Sequence, residues 1–178
     1  MFLMLLPVSV VSMPTILNTY SAEFIYQNTQ TQTNLIHYAW KHGVQKFLFL
    51  GSVCIYPKFA ETPVREESLM TGELEPTNDA YALAKIHGIY MLKPYYKQYG
   101  FKCVSLMPAN LYGPNDNFHP MNGHVIPALF QKFNNWTVGD APVTCWGTGT
   151  TRRELSSMWM TLQMHVSLLW RTMSQQGC

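Results

Sequence analysis

The fold of this chain is decided by one stretch, Asp79-Ala80-Tyr81-Ala82-Leu83-Ala84-Lys85. It follows the helix-breaking cluster Glu75-Pro76-Thr77-Asn78, so that Asn78 or Asp79 is placed to cap a helix. The residues that follow are rich in Ala, Leu and Lys, and Gly100 is the next glycine suited to end a helix of that length. The stretch therefore predicts a long helix over residues 79–99.

Tyr81 and Lys85 stand four residues apart, which places them on one face of this helix. A free phenol titrates near ~10. An ammonium beside it favours the phenolate, so we expect Lys85 to lower the pKa of Tyr81 and let it exchange protons near neutral pH. The alternative for so short a pattern is a Tyr and a Lys at the edge of an amphipathic helix.

A second segment lies about 30 residues earlier, where an apolar run ends in Gly51-Ser52. Residues 45–50 have the composition of a buried parallel strand. Active groups of open α/β sheets lie just beyond the carboxyl ends of such strands. Ser52 is therefore placed to face the Tyr81 helix.

A Ser at a strand end followed by Tyr-x-x-x-Lys resembles the short-chain dehydrogenase/reductases. Between Gln45 and about Arg153 the chain is similar to one branch of them, the GDP-L-fucose synthases. Four blocks carry the resemblance: Phe49-Leu50-Gly51-Ser52-Val53-Cys54-Ile55-Tyr56-Pro57, Leu74-Glu75-Pro76-Thr77-Asn78-Asp79-Ala80-Tyr81-Ala82, Asn110-Leu111-Tyr112-Gly113-Pro114-Asn115-Asp116-Asn117-Phe118-His119-Pro120 and His124-Val125-Ile126-Pro127-Ala128-Leu129.

The resemblance implies an α/β fold, a partial Rossmann-like doubly wound parallel sheet of the extended short-chain dehydrogenase/reductase type. The patterns predict helices over 21–42, 79–99 and 124–133, strands over 45–50, 101–107 and 143–146, and loops over 56–77 and 110–123. The buried stripe of the first helix is predicted to contain Phe24, Tyr26, Leu35, Ile36, Ala39 and Trp40.

The resemblance also implies roles for three of these residues. Tyr81 would give a proton to the C4 keto oxygen of the substrate while NADPH delivers a hydride to C4. Ser52 would hold that oxygen, and Lys85 would lower the phenol pKa and bind the nicotinamide ribose. The cofactor NADPH would contact Tyr81, Lys85, Pro108, Ala109, Asn110, Leu111 and His124.

Cys54 and His124 match the pair that epimerises the sugar in this family. Removing a proton next to a ketone requires a base, and returning one to the opposite face requires an acid. A thiol and an imidazole can both do this near neutral pH. Taken alone, Cys54 could be a small core residue and His124 a helix cap.

Three further residues, Lys132, Trp146 and Arg153, match positions that contact the GDP-sugar. A Lys and an Arg suit a diphosphate, and a Trp offers a flat apolar face. The plainer reading is a solvated Lys132 and a packed Trp146.

Both ends of the chain lose the family pattern. Met158-Trp159-Met160-Thr161 has nearly unique codons, and reading them in a shifted frame gives Val-Asp-Asp, which in the family follows Arg-Arg-Glu. We therefore expect three segments: an out-of-frame leader over 1–17, an incomplete NAD(P)-binding and catalytic domain with the start of a substrate domain over 18–154, and an out-of-frame tail over 155–178. The first βαβ unit and most of the substrate domain are expected to be missing.

Composition excludes several other classes of protein. A net charge of +2 without blocks of like charge gives no case for a nucleic-acid partner. The apolar start of the chain is interrupted by Pro7 and is too short to span a membrane, so we expect no membrane partner. The four cysteines have no metal-ligand spacing and suit the reducing cytoplasm.

The resemblance thus implies the chemistry of the GDP-L-fucose synthases, the NADPH-dependent 3,5-epimerisation and 4-reduction of GDP-4-keto-6-deoxy-D-mannose. A glycine-rich turn of the type G-x-x-G-x-x-G, which would hold the cofactor pyrophosphate, does not occur in the 178 residues. We therefore expect impaired or absent activity. The alternative is a non-catalytic fragment that pairs with an intact subunit through helices 21–42 and 79–99, which in this family build the homodimer.

Overall fold

The computed structural model describes residues 2–5, 19–119, 123–143 and 156–172. Within these residues the elements in chain order are β1 (Phe2–Leu5), α1 (Ser21–Lys41), β2 (Lys46–Leu50), α2 (Asp79–Tyr99), β3 (Cys103–Leu106), β4 (Asn110–Tyr112), α3 (Val125–Asn134), β5 (Ser156–Met158) and α4 (Trp159–Thr172). Two single 3₁₀ turns, Val53–Ile55 and Glu66–Ser68, lie in the connection between β2 and α2.

The central sheet is parallel, with the strand order β1-β2-β3. Phe47 and Phe49 pair with Cys103 and Ser105 across β2 and β3. Both faces of β2 are buried, since Phe47, Leu48 and Phe49 are fully inaccessible. A continuous apolar run without polar alternation is typical of such a strand, and the α/β class predicted for the chain is confirmed.

The strand β1 was not predicted. Phe2–Leu5 pairs in parallel with Lys46–Phe49, so β1 forms a βαβ unit with the predicted helix and strand that follow it, α1 and β2. The physical reason is that the outer edge of β2 offers unpaired backbone groups, and the apolar segment Phe2–Leu5 can satisfy them. The division of the chain at residues 17/18 and 154/155 stays a prediction.

Helices α1 and α2 pack side by side, and both contribute to the core over β2. The core contains Ile36, Ala39, Val44, Phe47, Phe49, Ile55, Ile86, Ile89, Leu92, Phe101 and Cys103. The stripe predicted for α1 is right at Phe24, Ile36 and Ala39, but Tyr26 is 67% exposed. The positions that α1 buries on that face are instead Asn28 and Gln32, and the Gln32 side-chain amide donates to the Ala84 carbonyl of α2.

Aromatic rings join the carboxyl-terminal ends of the two helices. Trp40 of α1 stacks on Tyr99 of α2 with ring centroids 4.1 Å apart, and Tyr95 packs edge-on against Trp40 at 5.6 Å. The His37 Nδ1 atom lies 2.8 Å from the Tyr95 hydroxyl. These contacts hold the carboxyl-terminal ends of α1 and α2 together.

The ends of α2 follow the prediction only in part. Gly100 ends the helix with a φ of 65°, as a left-handed glycine cap. At the other end Asn78 occupies the cap position, but its side chain makes no capping hydrogen bond. Asp79 Oδ1 accepts from the Ala80 N–H at 2.6 Å, so of the two residues predicted to cap the helix Asn78 takes the cap position and Asp79 accepts a hydrogen bond from the first turn.

The predicted loop over 110–123 contains the short strand β4, which pairs in parallel with β5. The predicted helix over 124–133 is observed as α3, and the predicted strand over 143–146 lies largely outside the described residues. None of the described helices combines the length and the apolar character that a bilayer crossing requires.

Gly88 sets the distance between α2 and the sheet. A Cβ atom at this position would lie 2.4 Å from Cζ of Phe49 and 3.2 Å from Cδ of Gln32. We predict that Gly88→Ala lowers the free energy of unfolding by about 1–2 kcal/mol, because overpacking of about 1–3 kcal/mol outweighs the helix-propensity gain of up to about 1 kcal/mol. The free energy of unfolding is measured by urea denaturation, with circular dichroism as the signal.

Leu83→Ala on the exposed face of α2 is the control for this prediction, since it changes a helical side chain that is 48% exposed. Its effect should stay within about 0.5 kcal/mol. A Gly88→Ala variant that is as stable as the wild type, or more stable, would show that α2 does not press on Phe49 as described.

Candidate active site

The candidate site lies beyond the carboxyl end of β2, where Gly51 and Ser52 leave the sheet. The Gly51 N–H donates to the Leu106 carbonyl of β3 at 2.8 Å, which extends the pairing of β2 with β3 to the edge. Ser52 then adopts an extended conformation and begins the 3₁₀ turn Val53–Ile55, where its Oγ accepts from the Cys54 N–H at 3.3 Å. The strand end thus presents a hydroxyl and a thiol within one turn of chain.

The first turns of α2 bring Tyr81 and Lys85 to the same edge. The Tyr81 side chain hydrogen bonds with Ser52 and lies close enough to Cys54 for their charges to interact. The Lys85 Nζ donates to the Leu50 carbonyl at 2.9 Å. Ser52, Cys54, Tyr81 and Lys85, which the sequence predicts as site residues, therefore meet at one place.

Lys85 is a buried cation, with only 1% of its surface exposed. Its Nζ lies 5.2 Å from the centre of the Phe49 ring and 5.7 Å from the centre of the Tyr81 ring, so two aromatic rings and one carbonyl surround the ammonium. Burial disfavours the charged form and lowers the pKa of Lys85 to about 8. Lys85 can therefore change its charge within a moderate range of pH.

The pKa of Tyr81 corrects another expectation. Burial raises the pKa of Tyr81 above the ordinary value, the electrostatic interaction with Cys54 adds to the rise, and only the hydrogen bond with Ser52 lowers it. The prediction that Lys85 brings the phenol near neutrality is wrong in this structure, because burial is the largest influence on the pKa of Tyr81 and the hydrogen bond with Ser52 is the only one that lowers it. Tyr81 is consequently held as a neutral O–H donor at physiological pH.

The predicted cofactor contacts at residues 108–111 and His124 lie on other segments of the chain. Pro108 and Ala109 follow β3, and Asn110 and Leu111 begin β4, so this segment leaves the sheet at the edge next to Ser52. His124 occupies the cap position immediately before α3, where its Nδ1 is 3.7 Å from Oδ1 of Asp116.

The predicted substrate contacts are the least defined. Lys132 lies in the last turn of α3. Trp146 and Arg153 lie outside the described residues.

Two features of the site were missed in the sequence. The Leu50 carbonyl accepts from Lys85, and a backbone acceptor of this kind has no sequence signal. Asp116, which lies beside His124, does have a sequence signal, because it is the only carboxylate between residues 80 and 139.

Comparison with known proteins gives a consistent result. The family model described as "NAD dependent epimerase/dehydratase family" matches residues 9–158. The chain is 57% identical to GDP-L-fucose synthase 1 of Arabidopsis thaliana and 56% identical to GDP-L-fucose synthase of Escherichia coli, in each case over 138 residues. Each alignment covers 77% of the chain and 43% of the relative, so the chain spans less than half the length of the curated relatives that it matches.

A solved structure shows the same likeness. The GDP-mannoheptose C4 reductase of Campylobacter jejuni, solved with NADP bound, superimposes with a TM-score of 0.68 at 36% sequence identity. The superposition covers 74% of this chain and 39% of the reductase.

The buried Lys85 makes the stability of the chain depend on pH. Since its native pKa is depressed from 10.5 to about 8, the unfolded state binds more protons than the native state between these values. Stability therefore rises with pH across this window. At 1.36 kcal/mol per pH unit, we predict that the free energy of unfolding of the wild type gains about 3 kcal/mol over that of Lys85→Met from pH 8 to 10.5.

The measurement is urea unfolding of both proteins at several pH values. Taking the difference cancels the titration of the other groups, and Lys93→Met, on an exposed part of α2, is the control. If the free energies of unfolding of the wild type and Lys85→Met differ by the same amount from pH 8 to 10.5, the prediction is contradicted.

Proposed function

The chain belongs to the NAD dependent epimerase/dehydratase family, and from this premise we propose that it carries the catalytic segment of a GDP-L-fucose synthase. The reaction is the NADPH-dependent 3,5-epimerisation and 4-reduction of GDP-4-keto-6-deoxy-D-mannose to GDP-L-fucose. The observation that supports it is the meeting of Ser52, Cys54, Tyr81 and Lys85 at the end of β2.

The residues present fit one half of the cofactor. An ammonium has three N–H donors, and among the described contacts Lys85 directs one of them to the Leu50 carbonyl. The others suit the hydroxyls of the nicotinamide ribose, beside the segment Pro108–Leu111. The pyrophosphate half has no glycine-rich turn in these 178 residues. When bound, NADPH supplies the hydride that reduces C4.

Tyr81 provides the proton for this reduction. The phenol gives its proton to the C4 oxygen as the hydride arrives at the carbon, so that the ketone becomes a hydroxyl. Ser52 holds the same oxygen by a hydrogen bond. The raised pKa of Tyr81 suits this role, because the phenol stays protonated until the oxygen of the substrate acquires negative charge.

Epimerisation requires a base and an acid on opposite faces of the sugar ring. We assign these roles to Cys54 and His124, which remove and return the protons at C3 and C5 next to the C4 ketone. Cys54 is a free thiol, as proton transfer by its sulfur requires. Lys132, Trp146 and Arg153 stay predictions for the contacts with the GDP moiety.

We predict that a chimera restores the reaction. Residues 18–154 replace the matching segment of the Escherichia coli relative, which supplies the remainder of the protein. The chimera should oxidise NADPH, read at 340 nm, only when GDP-4-keto-6-deoxy-D-mannose is present. Tyr81→Phe should lower this rate by about 10²–10⁴-fold, because it removes the proton donor.

Tyr90→Phe is the matched control, since it removes a phenol from the exposed face of the same helix and should leave the rate unchanged. A chimera that folds and binds NADPH and the GDP-sugar, yet does not turn over, would contradict the proposal. Equal rates for wild type and Tyr81→Phe would contradict the role of Tyr81.

A second candidate function is pairing with another subunit through the helix pair. The outer faces of α1 and α2 form an open apolar groove lined by Ile25, Tyr26, Thr29, Gln30, Leu83, Ala84 and His87. Tyr26 is 67% exposed and Leu83 48% exposed, although both are apolar. We infer that this groove packs against the same helices of a second subunit, which is either a copy of this chain or an intact relative.

Co-expression tests this pairing. The chain, carrying an affinity tag, should co-purify with an untagged full-length relative, and Leu83→Glu should abolish the co-purification by burying a charge in the interface. Val138→Glu is the control, because Val138 is 95% exposed and lies outside the groove. Failure of the wild-type chain to co-purify would rule out the second function.

A further inference from the structure

Asp116 and His124 face each other across the loop that precedes α3. The Asp116 Oδ1 lies 3.7 Å from the His124 Nδ1, and the two side chains are only 19% and 28% exposed. Asp116 is the only carboxylate between residues 80 and 139. The contact therefore pairs the single acid of this region with the imidazole to which we assign proton transfer.

His124 does not use its imidazole to cap α3. It occupies the cap position with φ −63° and ψ 160°, but its side chain makes no capping hydrogen bond. The Nδ1 atom is buried and lacks a hydrogen bond within the described residues. A buried polar nitrogen is costly unless it is paired, and the Asp116 carboxylate lies nearest among its described contacts.

The loop holds Asp116 in position on its own side. Its Oδ1 accepts from the Asn117 N–H at 2.7 Å, and its backbone N–H donates to the Gly113 carbonyl at 3.3 Å. Gly123 packs tightly against the loop backbone, since a Cβ there would lie 2.3 Å from the Asn117 carbonyl oxygen and 2.8 Å from the His119 carbonyl oxygen. The backbone thus brings the carboxylate to the start of the helix.

We propose that Asp116 is a positioning residue that holds the His124 imidazole as its Nδ1–H tautomer and turns Nε2 towards the substrate. The inference rests on the proposed function only in giving His124 the proton transfer. The carboxylate accepts the Nδ1–H, which leaves the Nε2 lone pair to take a proton from carbon. The resulting imidazolium is stabilised by the same carboxylate, which stays ionised. Such hydrogen bonds are often long without substrate and shorten when it binds.

The tautomer can be read directly in the 178-residue chain. Long-range ¹H–¹⁵N correlation spectra of ¹⁵N-histidine-labelled protein distinguish Nδ1–H from Nε2–H in a neutral imidazole, and His124→Gln identifies the signal among the six histidines. At a pH where the imidazole is neutral, we expect His124 to be the Nδ1–H form. Asp116→Asn keeps an oxygen for the Asn117 N–H but removes the charge, and should shift the population towards Nε2–H.

Asp140→Asn is the matched control. Asp140 also accepts from a backbone N–H in a turn at the end of α3, that of Thr137 at 2.9 Å, so the substitution makes the same chemical change away from His124. It should leave the His124 signal unchanged. An Nε2–H tautomer in the wild type overturns the proposal without any variant, and an unchanged tautomer in folded Asp116→Asn overturns it as well.

A second measurement separates this proposal from the function. In the chimera without NADPH, uptake of solvent deuterium at C3 and C5 reports proton transfer alone. Asp116→Asn should slow it by about tenfold or more, a part of the 10²–10⁴-fold that an acid or base contributes, with NADPH affinity unchanged. A chimera without deuterium uptake removes the proposed function, whereas the tautomer measurement still decides the pairing of Asp116 with His124.

Discussion

The hydrogen bond from the Lys85 ammonium to the Leu50 carbonyl connects the two elements on which the site is built. It joins the last residue of β2 to the second turn of α2, and the Phe49 ring packs against the same ammonium. Gly88, one turn further along α2, lets the helix come close enough for this contact. Burying a cation carries a desolvation cost that a well-packed apolar residue would avoid, so its position points to a need of the site rather than of the core.

The strands and helices near the site could be predicted because their signals are local. An apolar run ending in Gly51-Ser52 predicted β2, and the Ala-rich stretch before Gly100 predicted α2. The sequence predicted that Lys85 is a neighbour of Tyr81 and lowers its pKa, whereas the pKa of the phenol is raised. A spacing of four residues shows which groups are neighbours, but it does not show how much water the fold removes around them.

The features that the sequence did not predict depend on contacts between distant segments. The pairing of Phe2–Leu5 with β2 depends on which edge of the sheet is open, and a short apolar segment gives little indication of it. The approach of Asp116 to His124 depends on the path of the loop, which is set by close backbone contacts at Gly123. Trp146 and Arg153, which lie outside the described residues, stay predictions from the resemblance alone.

Helix α2 divides its residues between two surfaces. Tyr81 and Lys85 are buried towards the site, whereas Leu83, His87 and Tyr90 are exposed on the outer face. At the far end of the same helix, Tyr99 stacks on Trp40 of α1 at 4.1 Å, with Tyr95 beside them. Two tyrosines so close to one indole are placed to transfer excitation energy to it. Separation of the two helices would lower this transfer to Trp40, so the fluorescence of these rings reports whether α1 and α2 stay together.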